Sequence, residues 1–326
     1  LTTTLTNNIL TYFILLFVYP GSVNVKTTIP LSKASVKVLF IGAEKLRPDV
    51  AAISGMLLEQ RPFFAVRSVL YGKDQPAELD AGEHQFEFTI QLPMVNYPPS
   101  FEHPMCSCTF TLIAILESEN QRRKYFERPV RYIPYIETSP LKNHYTLSSQ
   151  QCMVALPSIS YLPSDIIPIT YSSGTNPLVS LTVKLRRRLT YGDEEIENSF
   201  DEVVCREETR FNVTTYSGTT YLSLPESTIP TIDYSNRMSM TYILDVTLKR
   251  TKLLGTAAHF TIPLTIGTMG PGIRTPADLK SYSKTKGGDT STISAHHHSP
   301  CFVQRIEYED CLPEYAGYKL PQYQIS

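Results

Sequence analysis

The chain has 326 residues, a length that suggests about two domains at roughly 150 residues each. Lys and Arg number 30 against 31 Asp and Glu, giving a net charge of -1. That balance excludes the electrostatic footprint of a nonspecific nucleic-acid binder. Hydrophobic residues at 42% and charged residues at 19% exclude a globally disordered chain, while 24 Pro, 20 Tyr, 14 Phe and no Trp favour short strands and turns over long helices.

The sequence begins with Leu1 rather than Met, which fits a fragment or a translated gene model. Residues 9–19 read ILTYFILLFVY. The run is uncharged but shorter than the roughly 20 apolar residues a bilayer span needs, and it lacks the basic flank and small-residue cleavage site of a signal peptide. A strand, a membrane segment and translated intron all remain open. Residues 1–19 are therefore set apart as a leader of uncertain standing.

From Pro20 onward the pattern has period 2. Residues 36–41 are apolar on both faces, as in the middle of a sandwich. A short helical segment is expected at 49–58, weakened by Gly55. In 85–92 the apolar set is Phe86, Phe88, Ile90 and Leu92, alternating with Gln85, Glu87, Thr89 and Gln91. Residues 109–116 are again apolar on both faces. Residues 179–185 place Val179, Leu181, Val183 and Leu185 inward. In 240–248 the inward set is Met240, Tyr242, Leu244, Val246 and Leu248, and Asp245 points the other way. A last strand at 258–266 carries Phe260, Ile262, Leu264 and Ile266. Prolines from Pro30 to Pro263 mark strand ends, edges and turns. The expected fold is all-β: a β-sandwich at 20–137, a polar hinge at 138–144, and a second β-sandwich at 145–267. Residues 268–326 change to Gly, Ser, Thr, Lys and Pro without a hydrophobic period, and read as a disordered tail.

That tail holds Leu312-Pro313-Glu314-Tyr315 and Leu320-Pro321-Gln322-Tyr323. Proline presets a polyproline II conformation at low entropic cost, and the aromatic grooves of WW modules take such segments. Leu312, Pro313, Tyr315, Leu320, Pro321 and Tyr323 are the candidate contacts. The run His296-His297-His298 with Cys301 lacks a preset metal geometry and reads as low complexity. Arg186-Arg187-Arg188 reads as a solvated surface paired with Glu194, Glu195 and Glu197, ahead of a phosphate or anionic-lipid site. Asn212-Val213-Thr214 fits a glycosylation acceptor, which matters only in a secreted protein. The six Cys are too sparse for a disulfide scaffold and show no C-x-x-C repeat, so they read as buried or idle thiols. No G-x-S-x-G, P-loop, H-E-x-x-H or G-x-G-x-x-G occurs. No catalytic, cofactor or metal residue is assigned, and an enzyme is not expected.

The motifs resemble those of the arrestin family, specifically the fungal α-arrestins (arrestin-related trafficking adaptors). The carrying stretch is GEHQFEFTIQLP at 82–93, followed by PPSFE at 98–102 and FTLIAILE at 110–117. Residues 36–42 with Ala43-Glu44 resemble the family's early strand ending in G-x-E. Residues 154–161 with Leu162-Pro163-Ser164-Asp165 resemble the opening strand and turn of the second domain, with Ser164 where the family carries Gly. Leu224-Pro225, Ile229-Pro230, residues 242–249 and IPLTIG at 262–267 resemble its close.

The resemblance implies a cytosolic adaptor, peripheral at plasma membrane and endosomes. It would bind a plasma-membrane transporter or receptor cargo and recruit a WW-domain HECT ubiquitin ligase for ubiquitination and endocytosis. The tail departs from the family in offering L-P-x-Y in place of the commoner P-P-x-Y. Rival readings are an arrestin-fold structural subunit of an endosomal sorting coat without ligase recruitment, and an extracellular adhesion sandwich.

Overall fold

The computed structural model describes residues 2–6, 18–47, 60–282 and 299–303, apart from short stretches at 74, 76, 120, 140–143, 175, 194–195, 234, 236–237 and 251–256. The helix expected at 49–58 lies outside the described residues, among which the regular elements are strands.

The first half contributes β1 (Thr2–Thr6), β2 (Val18–Thr27), β3 (Leu31–Leu46), β4 (Gln60–Tyr71), β5 (Ala77–Leu79), β6 (Gly82–Gln91), β7 (Val95–Asn96), β8 (Phe101–Glu102), β9 (Cys106–Ser118) and β10 (Gln121–Val130). The second contributes β11 (Tyr145–Ser149), β12 (Cys152–Leu156), β13 (Ser160–Tyr161), β14 (Ile166–Ser173), β15 (Leu178–Asp193), β16 (Ile196–Thr215), β17 (Ser217–Ser223), β18 (Met238–Arg250) and β19 (Ala257–Ile266). After β19 come β20 (Lys280–Ser281) and β21 (Cys301–Val303). The sheet orders are β1-β2-β6-β21 and β10-β9-β3-β4 in the first sandwich, with β5 on β3 and β8 on β9. The second sandwich has β11-β12-β14-β17 and β13-β19-β18-β15-β16. β20 pairs with β7.

Alternation predicts the inward faces well. Phe88, Ile90 and Leu92 are buried and Phe86 is half-buried. Met240, Tyr242, Leu244, Val246 and Leu248 are all buried. Gly21 lies opposite Phe88 in the β2–β6 register. A Cβ there would meet Phe88 Cζ at 2.4 Å, so the missing side chain lets the ring lie on the backbone. In β15 the pattern fails at one position: Val179 is 45% exposed while Leu178 is buried. A register shift between Leu178 and Ser180, against both neighbouring strands, turns Leu178 inward and Val179 out.

Residues 1–19, set apart from the body by their sequence, supply part of the first sandwich. Thr2–Thr6 pairs antiparallel with β2 at Ser22 to Lys26, and Tyr19 is buried. Residues 7–17 lie outside the described residues. The stretch after Gly267, expected to be structureless, is held against the first domain at Thr268–Met269, Lys280–Tyr282 and Cys301–Val303. Short backbone pairings and single aromatic anchors hold it there, and these leave no hydrophobic period in the sequence.

Two turns carry left-handed backbone on residues that disfavour it. Leu162-Pro163-Ser164-Asp165 closes with Asp165 N donating to Leu162 O at 3.1 Å, and Leu162 N donates to Asp165 Oδ2 at 2.7 Å. Ser164 sits at φ 72°. Proline first and a positive φ second is the type II pattern, which asks for Gly at the second position. The β11–β12 hairpin turns through Gln150 (φ 52°) and Gln151 (φ 64°), where Asn-Gly is the usual pair.

Replacing Ser164 with Gly removes the left-handed cost and should raise unfolding free energy by about 1 kcal/mol in urea melts. Phe88→Ala should cost about 3–5 kcal/mol by the same measurement. An unchanged midpoint for Phe88→Ala would place its ring outside the core.

Candidate functional site: the domain junction

The Arg triplet is divided by strand alternation. On β15, Leu185 and Leu189 face inward, so Arg187 between them points the same way, while Arg186 and Arg188 face out. Arg186 pairs with Asp245 on β18 and with Asp201 on β16 (3.1 Å), and Arg188 donates to Asp201 at 2.8 and 3.0 Å. Among the described residues the partners are Asp201, Glu202 and Asp245, because the β15–β16 register sets Arg188 opposite Asp201 and Arg187 opposite Glu202; the expected pairing with Glu194, Glu195 and Glu197 falls on side chains outside the described residues. Hydrogen bonding from Arg188 holds the Asp201 carboxyl below its usual range. Asp245 is buried beneath Arg186.

Arg187 opens onto the junction of the two sandwiches. It pairs with Glu202, which His103 approaches from the first domain. His103 lies in the turn between β8 and β9, its side chain only 3% exposed. Its Nδ1 accepts from Met105 N at 3.2 Å, and its Nε2 lies 3.3 Å from Glu202 Oε1. An Nδ1 that accepts leaves the proton on Nε2, which donates to the carboxylate. Phe200 of β16 packs edge-on against the imidazole at 6.1 Å. Burial pushes the His103 pKa down; Glu202 opposes that shift and Arg187 reinforces it. Beside this group runs an open cleft of about 640 Å³, lined by Phe101, His103, Arg131, Arg187 and Glu202 and by the loop from Pro225 to Pro230.

A second polar contact crosses the junction. Glu44, at the end of β3 and only 2% exposed, accepts a hydrogen bond from Ser235 Oγ of the second domain. Burial and then the Glu44 charge push the neighbouring thiols up, Cys106 to about 12 and Cys108 well above its usual value. Cys106, Cys108 and Cys152 are free and buried, Cys205 is half-buried and Cys301 is exposed, in line with idle thiols.

The third tie is made by threonine hydroxyls that bond to backbone. Thr268 Oγ1 accepts from Ile136 N (2.9 Å) and donates to Pro134 O (2.5 Å), and Thr138 Oγ1 donates to Met269 O (2.6 Å). Gly267 permits the approach, since a Cβ there would meet Thr138 Cγ2 at 2.4 Å. Further on, the Tyr282 ring packs edge-on against Phe63 at 4.7 Å and lies 5.7 Å from Tyr97. Phe302 meets Phe88 at 6.0 Å.

The six L-P-x-Y residues, Leu312, Pro313, Tyr315, Leu320, Pro321 and Tyr323, lie outside the described residues, as do His296, His297 and His298. Asn212 lies on β16. Among the described residues no group of three or more His, Cys, Asp and Glu is arranged to hold a metal. Sequence reasoning missed His103, Glu202, Glu44, Ser235 and Tyr282. His103 and Glu202 are 99 residues apart and Glu44 and Ser235 are 191 apart, so no local spacing joins them.

Residues 21–139 match the family model of the arrestin (or S-antigen) N-terminal domain, and residues 149–271 match that of the C-terminal domain. The chain belongs to the arrestin family. The two domains in tandem, joined across a polar junction, are those of an arrestin-type trafficking adaptor. The chain matches none of the curated proteins with which it was compared.

The depressed His103 pKa makes a signed prediction. The unfolded imidazole takes up a proton near pH 6.5, whereas the folded one resists protonation. The stability that neutral His103 contributes is therefore complete above about pH 6.5 and is lost as pH falls toward the folded value. Thermal melts at pH 7.5 and 5.5 should show a smaller acid destabilisation for His103→Gln than for the parent chain. Equal slopes would mean that the imidazole is not desolvated at the junction.

Proposed function

We propose that the chain is an α-arrestin-type adaptor of the fungal kind. It binds a plasma-membrane transporter or receptor and recruits a WW-domain HECT ubiquitin ligase, which ubiquitinates the cargo and directs its endocytosis. The protein works in the cytoplasm, peripheral at plasma membrane and endosomes, and has no catalysis of its own. One observation carries this reading: an arrestin body over 21–139 and 149–271 is followed in the same chain by two L-P-x-Y segments. A body that carries cargo and a tail that carries ligase ligands make a bridge.

The chemistry of the ligase contact is local. The Leu-Pro pair packs on the groove aromatics and the Tyr fills a second pocket. Truncating a hot-spot aromatic commonly costs about 2 kcal/mol or more. Ala316, Gly317, Tyr318 and Lys319 separate the two motifs. Fully extended, they reach about 13 Å, too short for two folded WW modules side by side. The motifs are then occupied alternately, without a large avidity gain.

Titrating the tail peptide against one WW domain and against a tandem pair should give nearly equal affinities. Tyr315→Ala and Tyr323→Ala should each weaken binding about twofold, the statistical factor for two equivalent sites, and the double variant should abolish it. A double variant that binds normally would remove ligase recruitment and leave the coat-subunit reading.

A further inference from the structure

His103 ties the two sandwiches together through a ring with both nitrogens engaged. Nδ1 accepts from Met105 N at 3.2 Å, inside the turn between β8 and β9. Two backbone bonds close that turn, His103 N to Cys106 O at 2.9 Å and Cys106 N to His103 O at 3.2 Å. Nε2 reaches Glu202 Oε1 on β16 at 3.3 Å, and Arg187 Nε donates to the same oxygen at 2.5 Å. Cys106, buried at the start of β9, lies close enough to the junction for Glu44 and Arg187 both to act on its thiol.

Only the neutral ring fits this arrangement. Nε2 already carries a proton, so a second one goes on Nδ1. Nδ1–H then faces Met105 N–H, donor against donor, and the amide loses its acceptor. The new charge also shares one carboxylate oxygen with the Arg187 guanidinium. The other titratable neighbours give no relief in place. Cys106 and Tyr242 stay neutral, each pushed up to about 12 chiefly by burial, and the Glu44 carboxylate takes Ser235 Oγ. Glu102, Arg131 and Glu226 line the open cleft of about 640 Å³ beside the ring, where an imidazolium finds water and two carboxylates.

We infer that His103 is a proton-operated catch between the domains: neutral, it holds the β8–β9 turn against β16; protonated, it leaves Glu202 for the cleft and the junction opens. Burial lowers the His103 pKa, with Glu202 opposing and Arg187 adding to the shift. The catch is therefore closed at neutral pH and releases below about pH 6.5. It belongs to the two-domain body and depends neither on the tail nor on ligase recruitment.

The native thiols of the full chain report on the catch, using a dipyridyl disulfide, a reagent that stays reactive in acid, with the modified cysteines mapped by mass spectrometry. Between pH 7.5 and 5.5 the modification rate of Cys106 should rise at least about tenfold as the junction opens, and the radius of gyration from small-angle scattering should increase. Cys152, buried in the second sandwich, should stay protected at both pH values. His103→Gln accepts from Met105 N and donates to Glu202 but takes no proton, so its Cys106 should stay protected and its radius unchanged. Glu202→Gln keeps an acceptor for Nε2 and removes the one charge that favours the imidazolium, so its opening midpoint should move to lower pH. A parent chain whose Cys106 stays protected at pH 5.5 would overturn the inference, as would a His103→Gln chain that opens like the parent or a Glu202→Gln midpoint that stays or rises. Reaction of Cys152 together with Cys106 would assign the event to global unfolding, and reaction of Cys106 at constant radius would confine it to the turn; either result removes the catch.

Discussion

Gly267 brings two chain segments together that the sequence separates by well over a hundred positions. The backbone leaving β19 passes so close to Thr138 that a methyl group would collide with it, and Thr268 and Met269 then bond to the segment that leaves the first sandwich. The exit of the second domain is thereby fixed to the exit of the first. Everything placed at the junction depends on that closure: the approach of His103 to Glu202 with the cleft beside it, and the approach of Ser235 to Glu44. A side chain at position 267 would have to displace the 136–138 segment, since Thr138 Cγ2 lies at 2.4 Å and Ile136 O at 2.9 Å from its Cβ position.

The junction also shows how one sequence feature is divided by geometry. Three consecutive arginines in an extended strand cannot act as one patch, because successive side chains leave on opposite faces. Arg186 and Arg188 are spent on Asp201 and Asp245 at the surface. Arg187 alone turns inward, where Glu202 and Tyr242 receive it beside the first domain. The half-buried Glu202 carboxylate lies between a guanidinium and a neutral imidazole and is met on both sides, while its remaining surface faces the cleft. The buried Asp245 is kept by the same logic, covered by Arg186 and bonded by Thr261 at 3.3 Å.

Polar chemistry is unevenly distributed over the second domain. One of its sheets carries the ion pairs and meets the first domain, while the other carries hydroxyls and exposed apolar groups. The charged sheet is specified by complementary partners in its own neighbouring strands.

The sequence by itself determined the class of fold. Period-2 alternation fixes which residues of 85–92 and 240–248 go inside, because a strand has only two faces and one of them must be dry. It also determined the family, through GEHQFEFTIQLP and the strands that follow; proline marks turns at Pro30, Pro93 and Pro163, but Pro62, Pro129, Pro168 and Pro263 lie inside β4, β10, β14 and β19. The bulge that turns Leu178 in and Val179 out was not legible, since a single shifted pairing leaves no trace in the alternation. Nor were the partners of the Arg triplet, which follow from the register of a long hairpin and lie across the strand pair. The strand β1, the anchoring of Tyr282 and Phe302, and the His103–Glu202 contact were decided by tertiary structure alone. Each joins residues far apart in the chain through a few contacts, and such contacts are selected by the shape of the assembled domains, which no local pattern encodes.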